Sequence, residues 1–327
     1  MRLPLTLAMT GYDHVLDLET GAVDVEGVDL TVLRLPVEEI FFRFLRYREW
    51  HVSELSMAKY TALRAAGDTS LVAIPVFPSR VCRHSSIYVR PDGPSSPKEL
   101  AGGRIGVPEW AQTASVYTRA LLQHEWGIAL EDIRWFQAGV NTPGRAEKVA
   151  LHLPEGISLT PVPDRCLEDM LRAGDLDAVL SAHPPDGFGR GEGGIVRLFP
   201  DYRPVEQEYV ARTGILPIMH ITVIRSDVHE SAPWVAANLL TAFEEAKRRS
   251  LQRLSEMTVS RVPLPWVPEM VADMRRLLGP DPWPYGVEPN RPTLEAFTRW
   301  AHEQGVAARR LEPEELFVPQ VLDRYKV

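Results

Sequence analysis

The chain has 327 residues, with 36 Lys and Arg against 44 Asp and Glu, and its formal net charge is −8. Its 45% hydrophobic and 24% charged residues are typical of a folded globular protein, and its length fits two domains or one two-lobed unit. The acidic balance argues against a nucleic-acid partner, and no apolar run approaches the roughly 18 residues that a membrane span needs.

The cysteines and the start of the chain indicate the compartment. Cys82 and Cys166 share no CxxC or paired spacing, which argues against a disulfide framework or a thiolate zinc site. The apolar stretch 1–9 is short and is followed at once by polar residues, unlike a secretory signal. We therefore expect a cytoplasmic protein without a membrane partner. A homo-oligomer is compatible with the sequence.

The first third of the chain alternates short apolar strands with helices. Val28–Leu33 alternates apolar and polar residues as a strand does, and Pro36–Trp50 has apolar residues at helical spacing after a proline start. The predicted strands are Leu3–Met9, Val28–Leu33, His51–Ser56, Leu71–Phe77 and Ser86–Arg90, and the predicted helices are Pro36–Trp50 and Met57–Ala66.

The alternation continues through the rest of the chain. It predicts βαβ units and a largely parallel sheet. A glycine-rich run at 187–194 leads into a strand-like segment instead of a helix, which predicts a loop and argues against a dinucleotide site. The further predicted strands are Arg104–Val107 and Asp177–Ser181, and the further helices are Ser96–Leu100, Gln112–Gly127, Asp164–Arg172, Trp234–Arg253, 266–278 and 293–304.

Two short apolar strands, Ile87–Arg90 and His220–Arg225, are candidates for crossings between two lobes. If both join the same lobes, residues 1–90 and 220–327 form lobe 1 and residues 91–219 form lobe 2. This α/β layout resembles the type II periplasmic-binding-protein fold, in which the ligand lies in the cleft between the lobes. Open α/β sheets bind ligands beyond the carboxyl ends of their strands.

The densest polar cluster follows the predicted strand at 71–77 and contains Arg80, Arg83, His84 and Ser85. Guanidinium groups bind carboxylates bidentately, and a histidine moves protons near neutral pH. The alternative is a surface loop whose arginines pair with acids. In an extended segment Arg80 and Arg83 would face opposite ways, so their convergence needs a turn before them.

Other candidate site residues lie where predicted strands end or begin. His220 precedes a crossing strand and is either a cleft residue or a core histidine bonded to backbone. Thr113 lies at a helix start, where free N–H groups bind anions. The segment Ser53–Ser56 is a weaker copy of that arrangement, with N-capping by Ser56 as the alternative. His183 follows the strand at 177–181 and is a third histidine that could face the cleft.

Taken in order, these segments resemble the 4,5-dihydroxyphthalate decarboxylase family. Cys82 and Tyr117 depart from the aromatic residue and the tryptophan expected at their positions. The matching stretches run through nearly the whole chain: Ser53–Ser56, Ala73–Arg80, Arg83–Ser85, Gly106–Glu109, Thr113–Ala114, Arg212–His220, Trp283–Gly286, Asn290–Arg291 and Glu314–Phe317.

The resemblance implies loss of carbon dioxide from an aromatic ring with two adjacent carboxylates and two hydroxyls. It assigns Arg80 and Arg83 to the carboxylates, with Thr113 as a supporting donor and Ser85 beside them. Either His84 or His220 protonates the ring carbon, and the other histidine activates the phenol. The candidate partners of the hydroxyls are Glu54 and Tyr60.

This scheme requires no cofactor and leaves room for a divalent cation bound by histidines. The competing interpretation is a solute-binding or ligand-sensing protein for a small carboxylate on the same fold. Such a protein captures carboxylates with arginines and helix starts but needs no proton donor. An exported receptor would carry a signal peptide, and none is visible in this sequence.

Overall fold

A computed structural model describes residues 2–189 and 194–322 of the chain. Residues 190–193, the middle of the glycine-rich run, and residues 1 and 323–327 lie outside the described part. The strands are β1 (Leu3–Met9), β2 (Val28–Arg34), β3 (Val52–Ser56), β4 (Leu71–Ile74), β5 (Ile87–Val89), β6 (Arg104–Val107), β7 (Arg134–Gly139), β8 (Leu159–Cys166), β9 (Ala178–Leu180), β10 (Val196–Arg197) and β11 (His220–Arg225).

The helices cover both sheets and are longest in the last third of the chain. The π-helical turn Leu121–Glu125 extends α4. The helices are α1 (Leu16–Glu19), α2 (Val37–Tyr47), α3 (Met57–Ala65), α4 (Thr113–Ala120), α5 (Leu167–Arg172), α6 (Tyr202–Thr213), α7 (Ser226–Ser231), α8 (Trp234–Leu254), α9 (Val267–Leu278) and α10 (Arg291–Glu303).

Two mixed sheets form the framework. The first has the order β2-β1-β3-β11-β4 and the second the order β10-β5-β9-β6-β7-β8. The neighbouring pairs among β1, β2 and β3, and those among β6, β7, β8 and β9, are parallel, as predicted. β10 pairs antiparallel with β5 at the edge of the second sheet, and the strands that run opposite to the rest of their sheets are β11 in the first and β5 in the second. Each of these two strands follows a segment that carries the chain from one sheet to the other. Each therefore enters its sheet from the end at which the parallel strands finish.

The chain passes between the sheets twice. It leaves the first sheet after β4 and returns to it at β11, and these two passages lie beside each other through an antiparallel bridge between Arg80 and Ile218. The predicted strands at 87–90 and 220–225 each belong to one sheet, so the crossings are the segments just before them. The division into lobes at 90 and 220 stays a prediction.

Prolines explain where the predicted and observed elements differ. The strand predicted over 71–77 ends at Ile74, because Pro75 has no N–H to donate to the ladder and Val76 turns back to the Ile74 carbonyl. The helix predicted at 164–172 is instead the end of β8 followed by α5. Pro161 and Pro163 hide β8 from a pattern search but are tolerated because β8 is an edge strand.

In the part of the chain that is described, no helix is both long and apolar enough to cross a bilayer. Cys82 and Cys166 are both free thiols.

Candidate active site

A cavity of about 340 Å³ lies between the two sheets. Its walls come from segments that follow the carboxyl ends of parallel strands, such as Ser56 after β3, Thr113 after β6 and His183 after β9. Open α/β sheets bind ligands at this edge, and the volume suits a small aromatic acid. A larger depression of about 810 Å³ lies between α8 and α9, and no described strand residue lines it.

Glu54 anchors a buried hydrogen-bond network at the end of β3. The His220 Nδ1–H donates to Glu54 Oε1 at 2.5 Å, and the Thr10 backbone N–H donates to Oε2 at 3.0 Å. The Tyr12 hydroxyl also donates to Oε1. Burial raises the pKa of Glu54, but these donors and the charge of His220 more than offset burial and hold the pKa below its usual value. The carboxylate therefore stays ionised.

The Glu54 carboxylate fixes the orientation of His220. Because an ionised carboxylate only accepts, Nδ1 must carry a proton, and Nε2 is left for the cavity that His220 lines. Within the described part of the chain, Nε2 has no hydrogen-bond partner. The ring packs edge-on against Phe41 at 5.0 Å between centroids. This histidine can hold and release a proton at one defined position.

Arg83 presents a buried positive charge to the same cavity. Its side chain is 8% exposed, and its Nε and NH2 groups both point at the Met219 thioether sulfur, at 3.1 and 2.8 Å. NH1 lies 3.3 Å from the Ser86 hydroxyl, and no described carboxylate pairs with the guanidinium. Burial lowers the pKa of Arg83 to about 10. A buried cation held by a weak sulfur acceptor is suited to take a carboxylate from a ligand.

The first residues of α3 and α4 contact each other at the cavity wall. The Thr113 hydroxyl, at the first residue of α4, lies 2.9 Å from the Ser56 hydroxyl, and it accepts the Ala58 N–H at 3.1 Å. Ser56 caps α3 by accepting the Lys59 N–H. The capping predicted for Ser56 is present and Ser56 also lines the cavity, whereas an anion-binding role for it stays a prediction.

A cluster of charges completes the wall. Glu109 is fully buried and pairs with Lys59 at 2.7 Å, Arg145 at 2.8 Å and Lys148 at 3.2 Å. Burial raises the pKa of Glu109, and the three cations together lower it below its usual value. Arg145 also reaches Glu38 on α2 at 3.0 Å, so it connects elements of the two sheets.

Comparison with known proteins finds two curated relatives of this chain. One, named 4,5-dihydroxyphthalate decarboxylase, from Comamonas testosteroni, is 40% identical over 328 residues, covering 100% of this chain and 99% of the relative. A second of the same name, from Pseudomonas putida, is 39% identical over 202 residues, covering 61% of this chain and 78% of the relative. The chain belongs to the 4,5-dihydroxyphthalate decarboxylase family. No protein-family model matches it.

Solved structures show the fold of this family member. The aliphatic sulphonate binding protein SsuA of Escherichia coli matches with a TM-score of 0.54 at 14% identity, over 98% of this chain and 99% of that one. A Candida albicans protein described as having the generic periplasmic-binding-protein fold matches with a TM-score of 0.50 at 13% identity, over 94% and 92% of the two chains. The decarboxylase-family chain therefore has the two-lobed periplasmic-binding-protein fold.

Arg80 does not line the cavity of this family member, although the sequence assigned it to a carboxylate. Its guanidinium donates to the carbonyls of Leu216 at 3.2 Å and Pro284 at 2.7 Å, and to Asn290 Oδ1 at 2.6 Å. It also lies over the Phe77 ring. The extended backbone sends Arg80 and Arg83 to opposite sides, and no turn brings them together. Arg80 fastens the crossing segment to residues 284–290.

Four other predicted residues also lie outside the cavity wall, and Glu54, which bonds His220, is one of them. The Tyr60 hydroxyl donates to the Leu316 carbonyl at 2.7 Å, so its site is the core. The Ser85 N–H donates to Glu206 at 3.0 Å, on the side away from the cavity. His84 is buried among the rings of Trp126, Phe199 and Tyr209, and its Nδ1 has no hydrogen bond in the described structure. His183 lines the cavity with a side chain 64% exposed, 3.8 Å from Glu38.

We expect His84 to make stability depend on pH. Burial lowers its pKa from 6.5 to about 4, so the unfolded chain takes up a proton at pH values where the folded chain does not. The free energy of unfolding should fall by up to about 3 kcal/mol as pH drops from about 6.5 to about 4. His84→Phe should lose this part of the pH dependence in denaturant titrations and keep its turnover. If the folded His84→Phe protein loses turnover, His84 is again a candidate proton donor.

The sequence patterns did not indicate Tyr12, Lys59 or Arg145. Tyr12 follows β1 and Arg145 follows β7, so their positions after strands were the available signal. Lys59 is in the first turn of α3 and looked like an ordinary helical residue. The described residues contain no group of three or more His, Cys, Asp or Glu placed to hold a metal ion.

Proposed function

We propose that this chain decarboxylates 4,5-dihydroxyphthalate to protocatechuate and carbon dioxide without a cofactor. The observation that carries the proposal is a cavity shared by Arg83 and His220. Arg83 is a buried cation with no acidic partner among the described residues, and His220 is oriented by Glu54. The names of the two relatives support the same substrate and a place in phthalate degradation.

In this proposal one residue, Arg83, binds the substrate and another, His220, transfers the proton. Arg83 holds one carboxylate of the substrate, and the Nε2–H of His220 faces the ring carbon that bears a carboxylate. The proton moves from Nε2 to that carbon, and the positive charge of the ring is taken up by the hydroxyl oxygen para to it, which releases its own proton. The Glu54 carboxylate stabilises the imidazolium form before transfer.

Loss of carbon dioxide then restores the aromatic ring. The bond between ring carbon and carboxylate breaks, and its electron pair returns to the ring and leaves a phenolate oxygen that takes up a proton from water. The new C–H bond keeps the proton that His220 gave, and the imidazole is reprotonated from solvent. The net reaction consumes one proton and releases carbon dioxide.

A ligand-binding role on the same fold is the second candidate. It is favoured by the structural similarity to SsuA, described as a sulphonate-binding protein, and by a cavity lined with cations. The buried pair of Glu54 and His220 argues for the enzyme, since capture of a carboxylate requires no oriented proton donor.

Turnover of 4,5-dihydroxyphthalate separates the two candidates. The protein is incubated with the substrate, with and without a chelator, and carbon dioxide and protocatechuate are measured. We expect equal amounts of both products and no effect of the chelator. Phthalate should bind without turnover, because it has no para hydroxyl to take up charge. Binding of both acids without turnover would favour the receptor, and inhibition by the chelator would show that a metal takes part.

A further inference from the structure

The cavity contains a second group of cations, separate from Arg83. A ring with two adjacent carboxylates is a dianion, and each carboxylate that leaves water needs its own positive partner. Arg83 supplies one. Arg80 is bound to two carbonyls and an amide oxygen outside the wall and is not free for the other. The remaining permanent cations of the wall are Lys59 and Arg145.

We propose that Lys59 and Arg145 hold the carboxylate that the product keeps, and that Arg145 thereby sets the preference for adjacent dicarboxylates over monocarboxylates. This inference deepens the proposed function and rests on it for the class of ligand. It assigns a role to two residues that the sequence analysis left without one.

In the ion pairs of this cluster, the cations outnumber the carboxylates. Three cations, Lys59, Arg145 and Lys148, share the carboxylates of Glu109 and Glu38. Glu147 is nearby, but it accepts the N–H groups of Trp110 and Ala111 and makes no ion pair with these cations in the described structure. A ligand carboxylate would therefore give these cations a third carboxylate in direct contact, and a second ligand carboxylate would give Arg83 its first.

Arg145 can change partners at small cost. Its NH2 group is held by the buried carboxylate of Glu109, whereas its NH1 group contacts Glu38, whose side chain is 57% exposed. Exposed ion pairs contribute little to stability, so a ligand carboxylate can replace Glu38 easily. Lys59 keeps its buried partner Glu109 and would contact a ligand carboxylate through its remaining N–H donors. Arg145 is therefore the residue to test.

The test compares the binding of phthalate and benzoate by calorimetry. We expect the wild-type protein to prefer phthalate, with the single carboxylate of benzoate bound by Arg83. Arg145→Met should weaken phthalate binding by about 10- to 100-fold and leave benzoate binding unchanged, since one charge-assisted contact is lost. Arg83→Met should weaken both. Arg165→Met, which removes an ion pair with Asp175 away from the cavity, is the matched control and should change neither.

The ratio of the affinity for phthalate to the affinity for benzoate tests the proposal. A merely structural role for Arg145 would weaken both ligands together, and that result, or an unchanged phthalate affinity, would overturn the inference. Arg145→Lys should keep part of the preference, and melting temperatures identify any variant that fails to fold. Binding can be measured without turnover. If the preference for phthalate over benzoate depends on Arg145 but the protein does not turn over 4,5-dihydroxyphthalate, only the proposed reaction is refuted.

Discussion

Arg83→Met should lower kcat/KM for 4,5-dihydroxyphthalate by about 100- to 1,000-fold, the loss that follows removal of a charged group aimed at a reacting anion. The melting temperature should stay the same or rise. Arg83 is a buried cation whose only described partners are a thioether and a hydroxyl. Its replacement removes the free-energy cost of burying a charge and breaks few hydrogen bonds. Steady-state kinetics and thermal melts measure the two effects.

Arg80→Met is the matched control, because both guanidiniums are buried and both follow β4 in the sequence. Its removal leaves two carbonyls and the Asn290 side chain without their donor, so the melting temperature should fall. The two arginines should thus give opposite changes in stability. A stable Arg83→Met protein with near-full turnover would remove Arg83 from the mechanism.

His220→Gln should lower kcat by about 100- to 10,000-fold, the usual contribution of a positioned acid or base. Its affinity for phthalate should change little, since the cations of the cavity remain. Glu54→Gln should lose a smaller part of kcat, because the imidazole keeps its place but loses the carboxylate that stabilises its charged form. Kinetics and calorimetry on the same preparations separate the proton-transfer step from binding.

His124→Gln is the control for this pair. His124 contacts the carboxylate of Glu303 at 2.8 Å in the same manner but lies outside the cavity, so its replacement should leave kcat unchanged. If His220→Gln keeps wild-type kcat while folding normally, the ring proton comes from another group, and the orientation by Glu54 has no catalytic meaning.

The sequence was sufficient for the parts of the site that depend on local order. Positions after predicted strands indicated Thr113 and His183, and a position at the start of a strand indicated His220. All three line the cavity, because parallel strands end at a common edge and the antiparallel β11 begins there. The same reasoning could not separate Arg83 from Arg80. Which of two nearby side chains faces a cavity depends on the backbone direction, and here the segment continues without the turn that their convergence requires.

Other features depend on contacts between distant segments. Glu54 was assigned to a substrate hydroxyl, yet it bonds His220, 166 positions away, and Thr10 at the end of β1. His84 and His220 were equal candidates for the proton donor, but the ring of His84 lies in an aromatic cluster formed by Trp126, Phe199 and Tyr209. No spacing rule indicates such pairings, since they arise only when the two sheets pack together.

The most direct test of the account is a crystal structure of the protein with phthalate, which should bind but not react. We expect one carboxylate on the guanidinium of Arg83, the other between Lys59 and Arg145, and a carboxyl-bearing ring carbon within reach of His220 Nε2. Phthalate bound in the depression between α8 and α9, or bound in the cavity with its ring turned away from His220, would contradict the account.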